Sequence, residues 1–348
     1  MAHNGYSLTL QKGRVDRIVS QFAKRKVLVF GDVGVDKYTV GRVTRISPEA
    51  PIPIVEVSDT QLKLGLAANV ADNISALGGR PLLVGMVGAD SSANDFKTLL
   101  KNSKIPSRHL IVDRSRKTTL KERVVAESQQ VVRIDHESQG KVNARVIKET
   151  WTVLEKAIGE ADAVVIEDYA KGLVEISLCR QIMQACDEKG IPVLVDPNRS
   201  SKPTLYQGCT VITPNTTEAE ALSGVTITDM SSLRLAGQRI LDEVKARIVI
   251  ITRGKDGMAI FARGEPHPVL IPTFAREVFD VSGAGDTVIA TLALSLVSNA
   301  DIIEAALLAN FAAGVEVGKR GTATVSLTEL KEYIEFVGAK RSGRTKKA

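Results

Sequence analysis

The sequence predicts an α/β fold in which helices cover both faces of a mostly parallel central sheet and a small β-sheet forms a lid. First, short β-branched runs bounded by turn residues alternate with longer helical patterns, as they do in parallel sheets. Second, two stretches, 38–58 and 108–135, break this alternation with strand-like patterns. Third, two tandem helical patterns near the C-terminus are apolar on nearly every side, which is typical of helices buried against a sheet.

The central sheet is predicted from six apolar runs and from the helical patterns between them. The strands are predicted at 27–31, 81–85, 163–167, 192–196, 210–213 and 247–252. The helices are predicted at 67–77, 93–101, 143–158, 176–189, 231–244, 287–297 and 302–317. Within 231–244, for example, Leu233, Ala236 and Ile240 keep the spacing of one helix face.

The lid is predicted from the two stretches that break the alternation. Three prolines and several β-branched residues lie in 38–58, and 108–135 alternates polar with apolar residues, as strands with one exposed face do. We therefore expect one domain over 1–337 that includes this lid. The basic segment 338–348 is expected to be a disordered tail, because it has too few apolar residues to offset the entropy of ordering it.

Composition excludes several classes of protein. Among 348 residues, 44% are hydrophobic and 25% charged, which is typical of a folded globular chain. The net charge is +6, but five of the basic residues lie between 340 and 347 without an acidic residue among them. A nearly neutral body with only 4% aromatic residues argues against nucleic acid as a partner.

The cysteines and the apolar runs indicate a cytoplasmic protein. Cys179, Cys186 and Cys209 are odd in number and lack CxxC spacing, which argues for a reducing compartment and for cysteines that serve as small core residues. The first 25 residues contain Arg14, Asp16, Arg17, Lys24 and Arg25 without a long apolar run, so no secretory signal is expected. No stretch has the 18 or so uncharged apolar residues of a membrane span, so no membrane partner is expected.

The segment 280–287, Asp-Val-Ser-Gly-Ala-Gly-Asp-Thr, is the most informative stretch for chemistry. Gly283, Ala284 and Gly285 come directly before a predicted buried helix, where small residues and the free N–H groups of the first turn form an anion site. Asp286 would then be a candidate general base. The residues alone leave a second interpretation equally open, in which Asp286 only favours the start of the helix.

Five motifs in the same order resemble the ribokinase-like (PfkB) carbohydrate kinase family. They lie at 31–36, 65–71, 213–218, 252–257 and 280–287. The resemblance covers about 26–337, and it implies a ribokinase-like fold and an ATP-dependent sugar kinase. It also implies that Asp286 is the general base and that Gly283, Ala284 and Gly285 hold the charge that develops on the transferred phosphate.

The resemblance assigns the other site residues to two groups. Those implied to bind the sugar are Asp36, Gly65 and Asn69. Those implied to bind ATP are Asn215, Glu218, Thr252, Arg253, Gly254, Gly257 and Asn310. Asn215 and Glu218 are also implied to organise Mg²⁺ indirectly, through water. Tyr169 is interpreted only as an aromatic residue of the core or the pocket edge.

Within that family the sequence is most similar to the heptose 7-phosphate kinases. The matching stretches are 45–53, 121–123, 129–133, 168–172 and 318–326. A substrate that already carries a phosphate needs fixed cations. The substrate-binding candidates in these stretches are Arg45, Lys121, Arg123, Arg133, Asp168 and Lys171.

The expected activity is phosphorylation of O1 of D-glycero-D-manno-heptose 7-phosphate with ATP and Mg²⁺, for ADP-heptose and lipopolysaccharide core synthesis. Leu66 and Asn198 depart from the usual pattern of these kinases, so a different sugar or sugar-phosphate kinase of the same fold stays an alternative. A non-catalytic regulator that binds sugar or nucleotide is a third interpretation. A homodimer through the lid is also expected, because exposed strand edges need protection.

Overall fold

The computed structural model describes residues 10–127, 129–138, 140–275, 278–319 and 321–344, and for 339–344 only the backbone. The strands are β1 (Lys26–Gly31), β2 (Val33–Ile46), β3 (Pro53–Leu66), β4 (Arg80–Val87), β5 (Leu110–Val112), β6 (Thr119–Ala126), β7 (Gln129–His136), β8 (Ala163–Glu167), β9 (Val193–Asp196), β10 (Val211–Ile212), β11 (Ile248–Thr252), β12 (Met258–Ala262) and β13 (Val269–Ile271). The helices are α1 (Lys12–Val19), α2 (Ala67–Ala76), α3 (Ser91–Asn102), α4 (Ala144–Ile158), α5 (Ile176–Lys189), α6 (Thr216–Ser223), α7 (Met230–Val244), α8 (Ala284–Val297), α9 (Ile302–Glu316) and α10 (Leu327–Arg344).

The central sheet confirms the predicted α/β class. Its strand order is β13-β12-β11-β10-β9-β8-β1-β4-β5 within the described residues. All neighbours from β11 to β5 are parallel, whereas β12 and β13 are antiparallel. The carboxyl ends of the parallel strands therefore share one edge, which is where ligands bind in open α/β sheets.

Two apolar cores lie on the two faces of this sheet. Along β1, Val27 and Val29 belong to one core and Leu28 and Phe30 to the other, as the alternation of side chains along a strand requires. Helices α8 and α9 are buried on nearly all sides in the first core. This burial confirms the inference from their uniformly apolar sequences.

The lid is a separate sheet with the order β3-β2-β6-β7. The prediction of a small sheet is confirmed, but one of its boundaries is wrong: Leu110–Val112, inside the predicted 108–135 stretch, pairs with β4 at the edge of the central sheet. An edge strand has one exposed side, so its alternation of polar and apolar residues matches that of a lid strand. The lid also extends further inward than predicted, since β2 begins at Val33 and β3 ends at Leu66.

The termini and the cysteines complete the fold. Helix α10 continues to Arg344, so 338–344, expected to be a disordered tail, is helical, and 345–348 lie outside the described residues. Lysine, arginine and alanine favour helix even where no apolar face directs it.

Cys179, Cys186 and Cys209 are buried and unpaired, as predicted. None of the helices in the described ranges is long and apolar enough to cross a membrane.

Candidate active site

Acidic side chains end two neighbouring strands of the central sheet. Glu167 is the last residue of β8 and Asp196 is the last residue of β9, and these strands run parallel with the two residues in register. Helix α8 packs against both strands. Its N-terminus therefore brings Asp286 to the same edge, and the site is assembled there.

The turn that precedes α8 depends on a glycine. Gly283 has a φ of +96°, a left-handed conformation that side chains disfavour. A Cβ on Gly283 would lie 3.0 Å from Nδ2 of Asn69, so the position is also crowded. Ala284 and Gly285 follow in the first turn of α8, whose N–H groups and dipole favour an anion. The predicted anion-binding turn is thus present in the backbone.

Asp286 is buried and held by two side chains. Asn69 donates through Nδ2 to Oδ2 of Asp286 at 2.6 Å, and the hydroxyl of Tyr169 donates to Oδ1 at 2.9 Å. A residue that merely caps a helix would bond its own N-terminal amides. These bonds from α2 and from the loop after β8 instead fix the carboxylate as a preoriented acceptor, which favours the general-base interpretation.

The charge state of Asp286 fits that role. Burial raises the pKa of Asp286 to about 6, and the nearby charge of Asp36 adds to the rise. The hydrogen bonds from Asn69 and Tyr169 and the charge of Lys121 act in the opposite direction. The carboxylate is therefore ionised at neutral pH while keeping a pKa close enough to neutrality to accept a proton effectively.

Glu167 and Asp196 form an acidic pocket beside Asp286. Carboxyl oxygens of the three residues lie within 4.8 Å of one another, and Oε2 of Glu167 has no hydrogen-bond partner within the described residues. Burial raises the pKa of both Glu167 and Asp196 well above the ordinary range, with neighbouring acids contributing. Closely spaced carboxyl oxygens, one of which has no hydrogen-bond partner, are typical ligands of a divalent cation.

The predicted sugar residues meet at the base of the lid. Asp36 on β2 is buried, and its Oδ1 accepts a hydrogen bond from Nη1 of Arg123 at 2.6 Å. A Cβ on Gly65 would lie 2.9 Å from Oδ2 of Asp36, so only glycine fits beside that carboxylate. The next residue, Leu66, which departs from the glycine usual in the heptose kinases, has a φ of +59°. Its backbone is strained where a glycine would relax it.

A cavity of about 600 Å³ opens along the inner face of the lid. Arg123 and Lys63 line one side of it, and Phe279 and Ser282 from the segment before α8 line the other. Gln130 of β7 lies further out on the same wall. The cavity extends from the lid to the segment before the anion-binding turn. Its volume is large enough to hold one small substrate.

Two of the predicted phosphate-binding cations lie near the reacting groups. The Nζ of Lys121 lies 5.2 Å from the ring centroid of Tyr169, and burial lowers the pKa of this lysine. No ion pair is formed by Lys121 within the described residues. Lys171 is close by but pairs with Glu137 at 2.7 Å. Lys121 therefore presents an uncompensated positive charge toward the site.

Of the other three predicted cations, Arg123 pairs with Asp36, and the remaining two lie further from the site. Arg133 lies opposite Arg123 across the β6–β7 pair, but its side chain is exposed and pairs with Asp135 at 2.9 Å. Arg45 lies near the outer end of β2, where it is exposed. The structure thus does not bring Arg45 to the cluster around Asp286.

Asp168 lies close to the site, but its carboxylate is already bonded. The hydroxyls of Ser201 and Tyr206 each donate to Oδ2 at 2.6 Å, and the amide of Ala170 donates to Oδ1. The hydroxyl of Tyr206 also accepts a bond from the amide of Asn198. Asp168 therefore holds together two loops at the sheet edge, and Asn198, the second departure, belongs to this support.

The predicted ATP residues begin after β10. Asn215 and Glu218 cap α6 reciprocally: Oδ1 of Asn215 accepts from the amide of Glu218 at 3.0 Å, and Oε2 of Glu218 accepts from the amide of Asn215 at 2.8 Å. Asn215 also bridges to Thr252 at the end of β11. The charge of Glu218 raises the pKa of Asp196, so this cap faces the acidic pocket.

The remaining ATP candidates form loop supports nearby. Gly254 and Gly257 enclose a short turn after β11, and a Cβ on Gly257 would lie 2.0 Å from the carbonyl oxygen of Ile271. Arg253 comes within 3.9 Å of Asp256 in that turn. Asn310 of α9 donates to the carbonyl of Pro272 at 2.8 Å. These residues shape loops on the predicted nucleotide side of the sheet edge, and none of them contacts Asp286.

Sequence reasoning missed Tyr169, Glu167 and Asp196 as site residues. The sequence pattern indicates only an aromatic residue of the core or the pocket edge at Tyr169, whereas its hydroxyl donates a hydrogen bond to the candidate base. A signal for the two acids was present, because each ends a predicted apolar strand at the edge where ligands bind. No signal marked Tyr169, since an aromatic residue after a strand is common.

Comparisons with known proteins show the family of the chain. The family model described as pfkB family carbohydrate kinase matches residues 24–329. The chain is 42% identical over 317 residues to the bifunctional protein HldE of Desulfatibacillum aliphaticivorans, covering 91% of this chain and 64% of the relative. It is 39% identical to the bifunctional protein HldE of Geobacter sulfurreducens, covering 94% and 66%. The chain thus spans just under two thirds of the length of these curated relatives.

Solved structures share the fold. Arabidopsis thaliana ribokinase complexed with ribose and ATP superposes with a TM-score of 0.70 at 18% identity, covering 89% of this chain and 98% of that one. Phosphofructokinase-2 from Escherichia coli in complex with substrates and products gives 0.72 at 20% identity, covering 90% and 99%. At such identities the likeness establishes the fold alone.

Proposed function

This chain belongs to the pfkB family of carbohydrate kinases, and from that premise we propose that it transfers the γ-phosphate of ATP to O1 of D-glycero-D-manno-heptose 7-phosphate. The observation that carries the kinase assignment is Asp286, buried at an anion-binding turn and held by Asn69 and Tyr169. The heptose assignment is supported by the matching lid stretch 45–53 and by the bifunctional relatives. It also defines the product, the 1,7-bisphosphate.

The proton transfer is assigned to Asp286. Its carboxylate accepts the proton of the anomeric hydroxyl while that oxygen forms a bond to the γ-phosphorus and the bond to the ADP oxygen breaks. Asn69 and Tyr169 keep the carboxylate in place. Asp36 accepts hydrogen bonds from other hydroxyl groups of the sugar. Arg123 fixes the position of the Asp36 carboxylate by donating to it.

The transferred phosphate is assigned to the turn at Gly283, Ala284 and Gly285. Backbone N–H groups at a helix N-terminus stabilise negative charge and need no reorganisation during the reaction. Phosphoryl transfer depends mainly on such positioning and charge stabilisation.

Mg²⁺ fits the acidic pocket. The unpaired Oε2 of Glu167 and the crowding with Asp196 leave negative charge that only a cation or a proton can balance. Asn215 and Glu218 would hold the ion through water, with Asp196 beside them. When bound, the ion would neutralise charge on the ATP phosphates.

The phosphate already present on the substrate is assigned to lid cations. Lys121→Met should raise the KM for the sugar phosphate about 10- to 100-fold, the loss expected for one charged hydrogen bond of roughly 1.5–3 kcal/mol. The KM for ATP should stay within about twofold, because this contact involves one substrate only. Steady-state kinetics with each substrate varied in turn provide the measurement.

Arg42→Met is the matched control for Lys121→Met, since Arg42 is an exposed cation of the same lid. It should leave both KM values unchanged. An equal rise of both KM values in Lys121→Met would instead place Lys121 in the shared reaction centre and refute its assignment to the distal phosphate.

The substrate assignment is tested by an ADP-release assay over a panel of sugars and sugar phosphates. The proposal predicts the highest kcat/KM with the heptose 7-phosphate. A higher value with another sugar would establish the alternative of a different kinase of this fold, for which the strained Leu66 beside Gly65 is the supporting observation. Binding without ADP release from any sugar would establish the regulator. The intact Asp286 cluster favours turnover, because a binding protein needs no base.

The proposed substrate also indicates the pathway and the cellular compartment in which the protein acts. The product would supply ADP-heptose for the lipopolysaccharide core, and the three free cysteines fit a reducing cytoplasm.

A homodimer through the lid is the proposed assembly. The lid exposes apolar side chains at Val43, Ile46, Val57 and Val132, and its edge strands β3 and β7 have unpaired sides in the described structure. A second copy of the lid would cover both features. Light scattering at micromolar concentration should give twice the monomer mass, and Ile46→Lys should shift it toward the monomer. A monomer at all concentrations would refute the assembly.

A further inference from the structure

Glu316 is a buried acid that the proposed reaction does not use. It is the last residue of the apolar helix α9 and is fully buried. Its carboxyl group has no side-chain hydrogen-bond partner within the described residues, and only the backbone amide of Ala323 favours its charged form as a donor. A buried carboxyl group with so few partners is costly, so its presence in an otherwise apolar helix calls for an explanation.

The carboxyl group of Glu316 lies directly behind the anion-binding turn. A Cβ built on Gly283 would be 3.4 Å from Oε1 of Glu316 and 3.5 Å from the methyl group of Thr322. The same point is 3.0 Å from Nδ2 of Asn69, which holds the base. Glu316 therefore packs against the one residue whose backbone sets the direction of the turn.

Among the residues that the structure describes, no charged group neutralises Glu316. Asp280 and Asp286 lie on the side of the turn, and both add negative charge. Lys319 points elsewhere, toward the carbonyl of Thr324 at 2.8 Å and to Glu329. Lys63 of the lid donates to the carbonyl of Thr322 at 2.6 Å. The hydroxyl of Thr322 is itself without a partner within the described residues.

The charge state follows from these surroundings. Burial raises the pKa of Glu316 to about 8, with Asp286 and Asp280 contributing, while the amide of Ala323 and the charge of Lys319 act in the opposite direction. The carboxyl group is therefore neutral at pH 7 and ionises as the pH rises through about 8. Ionisation would place a negative charge behind the turn that receives the phosphate.

We propose that Glu316 is a positioning residue of the phosphate-binding turn, which works only while its carboxyl group is neutral, so that loss of this proton switches phosphoryl transfer off. The proposal rests on the kinase function proposed above. The neutral carboxyl packs behind Gly283, whereas the carboxylate repels the incoming phosphate. The turn is thereby made sensitive to alkaline pH.

The test is the pH dependence of kcat between pH 6 and 10. Wild-type kcat should fall about tenfold per pH unit above pH 8, since one proton is lost. Glu316→Gln and Glu316→Leu both remove the ionisation, and their kcat should vary by less than about threefold up to pH 9.5. Glu332→Gln, a change at an exposed glutamate of α10, should keep the wild-type alkaline fall. The same alkaline fall in wild type and in both Glu316 variants would overturn the proposal.

A second readout needs no substrate. The folded-state pKa of Glu316 lies above its ordinary value of 4.5, so the folded protein holds the extra proton between about pH 4.5 and 8 and loses stability as the pH rises through that window. The Tm of Glu316→Gln should therefore fall less than that of wild type between pH 5 and 8. If no sugar is phosphorylated, the kinase assignment fails while this Tm difference still stands. Identical Tm slopes would show that Glu316 is not held neutral and would overturn the inference.

Discussion

Asp286→Asn should lower kcat by roughly 10² to 10⁴, the range expected when a positioned general base is lost. The amide keeps the size of the side chain but cannot accept the proton of the sugar hydroxyl. Binding of ATP should be largely retained, since the proposed role of Asp286 is toward the hydroxyl of the acceptor sugar and Asn can keep the same size and position. Steady-state kinetics and a separate titration with ATP measure the two effects.

The pH dependence of wild-type kcat provides a second test of Asp286 as the general base. Asp286 acts as a base only when ionised, and its pKa is raised to about 6. Wild-type kcat should therefore fall about tenfold per pH unit below pH 6, and this acid limb should be absent in Asp286→Asn. Asp229→Asn is the control, because Asp229 caps α7 without any contact to the site. Near-normal turnover in Asp286→Asn would reduce Asp286 to a residue that favours the helix start.

Gly283→Ala should lower kcat by about 10² to 10³, the loss found when donors to a developing negative charge are displaced. The new Cβ would meet Nδ2 of Asn69 at 3.0 Å, so either the turn or the amide that holds the base must move. A φ of +96° adds backbone strain, which should cost roughly 1–3 kcal/mol of stability. Kinetics and a denaturant titration measure the two losses.

Gly264→Ala separates strain from position. Gly264 has a φ of +89° with no atom within 4 Å of the new Cβ, so it shares the backbone penalty but lies in a turn away from the site. Its stability should fall by a similar amount while kcat stays within about twofold. If the two variants lost the same fraction of kcat, the effect of Gly283→Ala would be one of strain, and the turn would have no special part in catalysis.

Much of the fold could be predicted, because its core elements have unambiguous patterns. The predicted strand 163–167 and helix 176–189 match β8 and α5 residue for residue, since long apolar periods and flanking turn residues leave little choice. The strand β5 was assigned to the wrong sheet, because an edge strand and a lid strand expose one face alike. A sequence pattern therefore predicts whether a segment is a helix or a strand more reliably than it predicts which strands that segment pairs with.

In the candidate site, only the residues that belong to a recognised motif could be predicted from the sequence. Asn69 and Asp286 lie far apart in sequence, and two motifs of one family mark each of them as a site residue, but no pattern predicts the hydrogen bond between them. Arg45 belongs to a well-matched stretch but lies exposed on the lid, because a motif does not show which way a long hairpin points. Glu316 lies at the end of an apolar helix, and no local pattern shows that its carboxyl group faces Gly283.

The measurement that tests the central claim most directly is ³¹P NMR of the product formed from ATP and D-glycero-D-manno-heptose 7-phosphate. Transfer to O1 predicts one new phosphate resonance coupled to the anomeric proton, in a 1:1 ratio with ADP, and this resonance should grow at least about 100-fold more slowly with Asp286→Asn. A new resonance coupled to any other sugar proton, or release of ADP with inorganic phosphate and no bisphosphate, would contradict the proposed kinase.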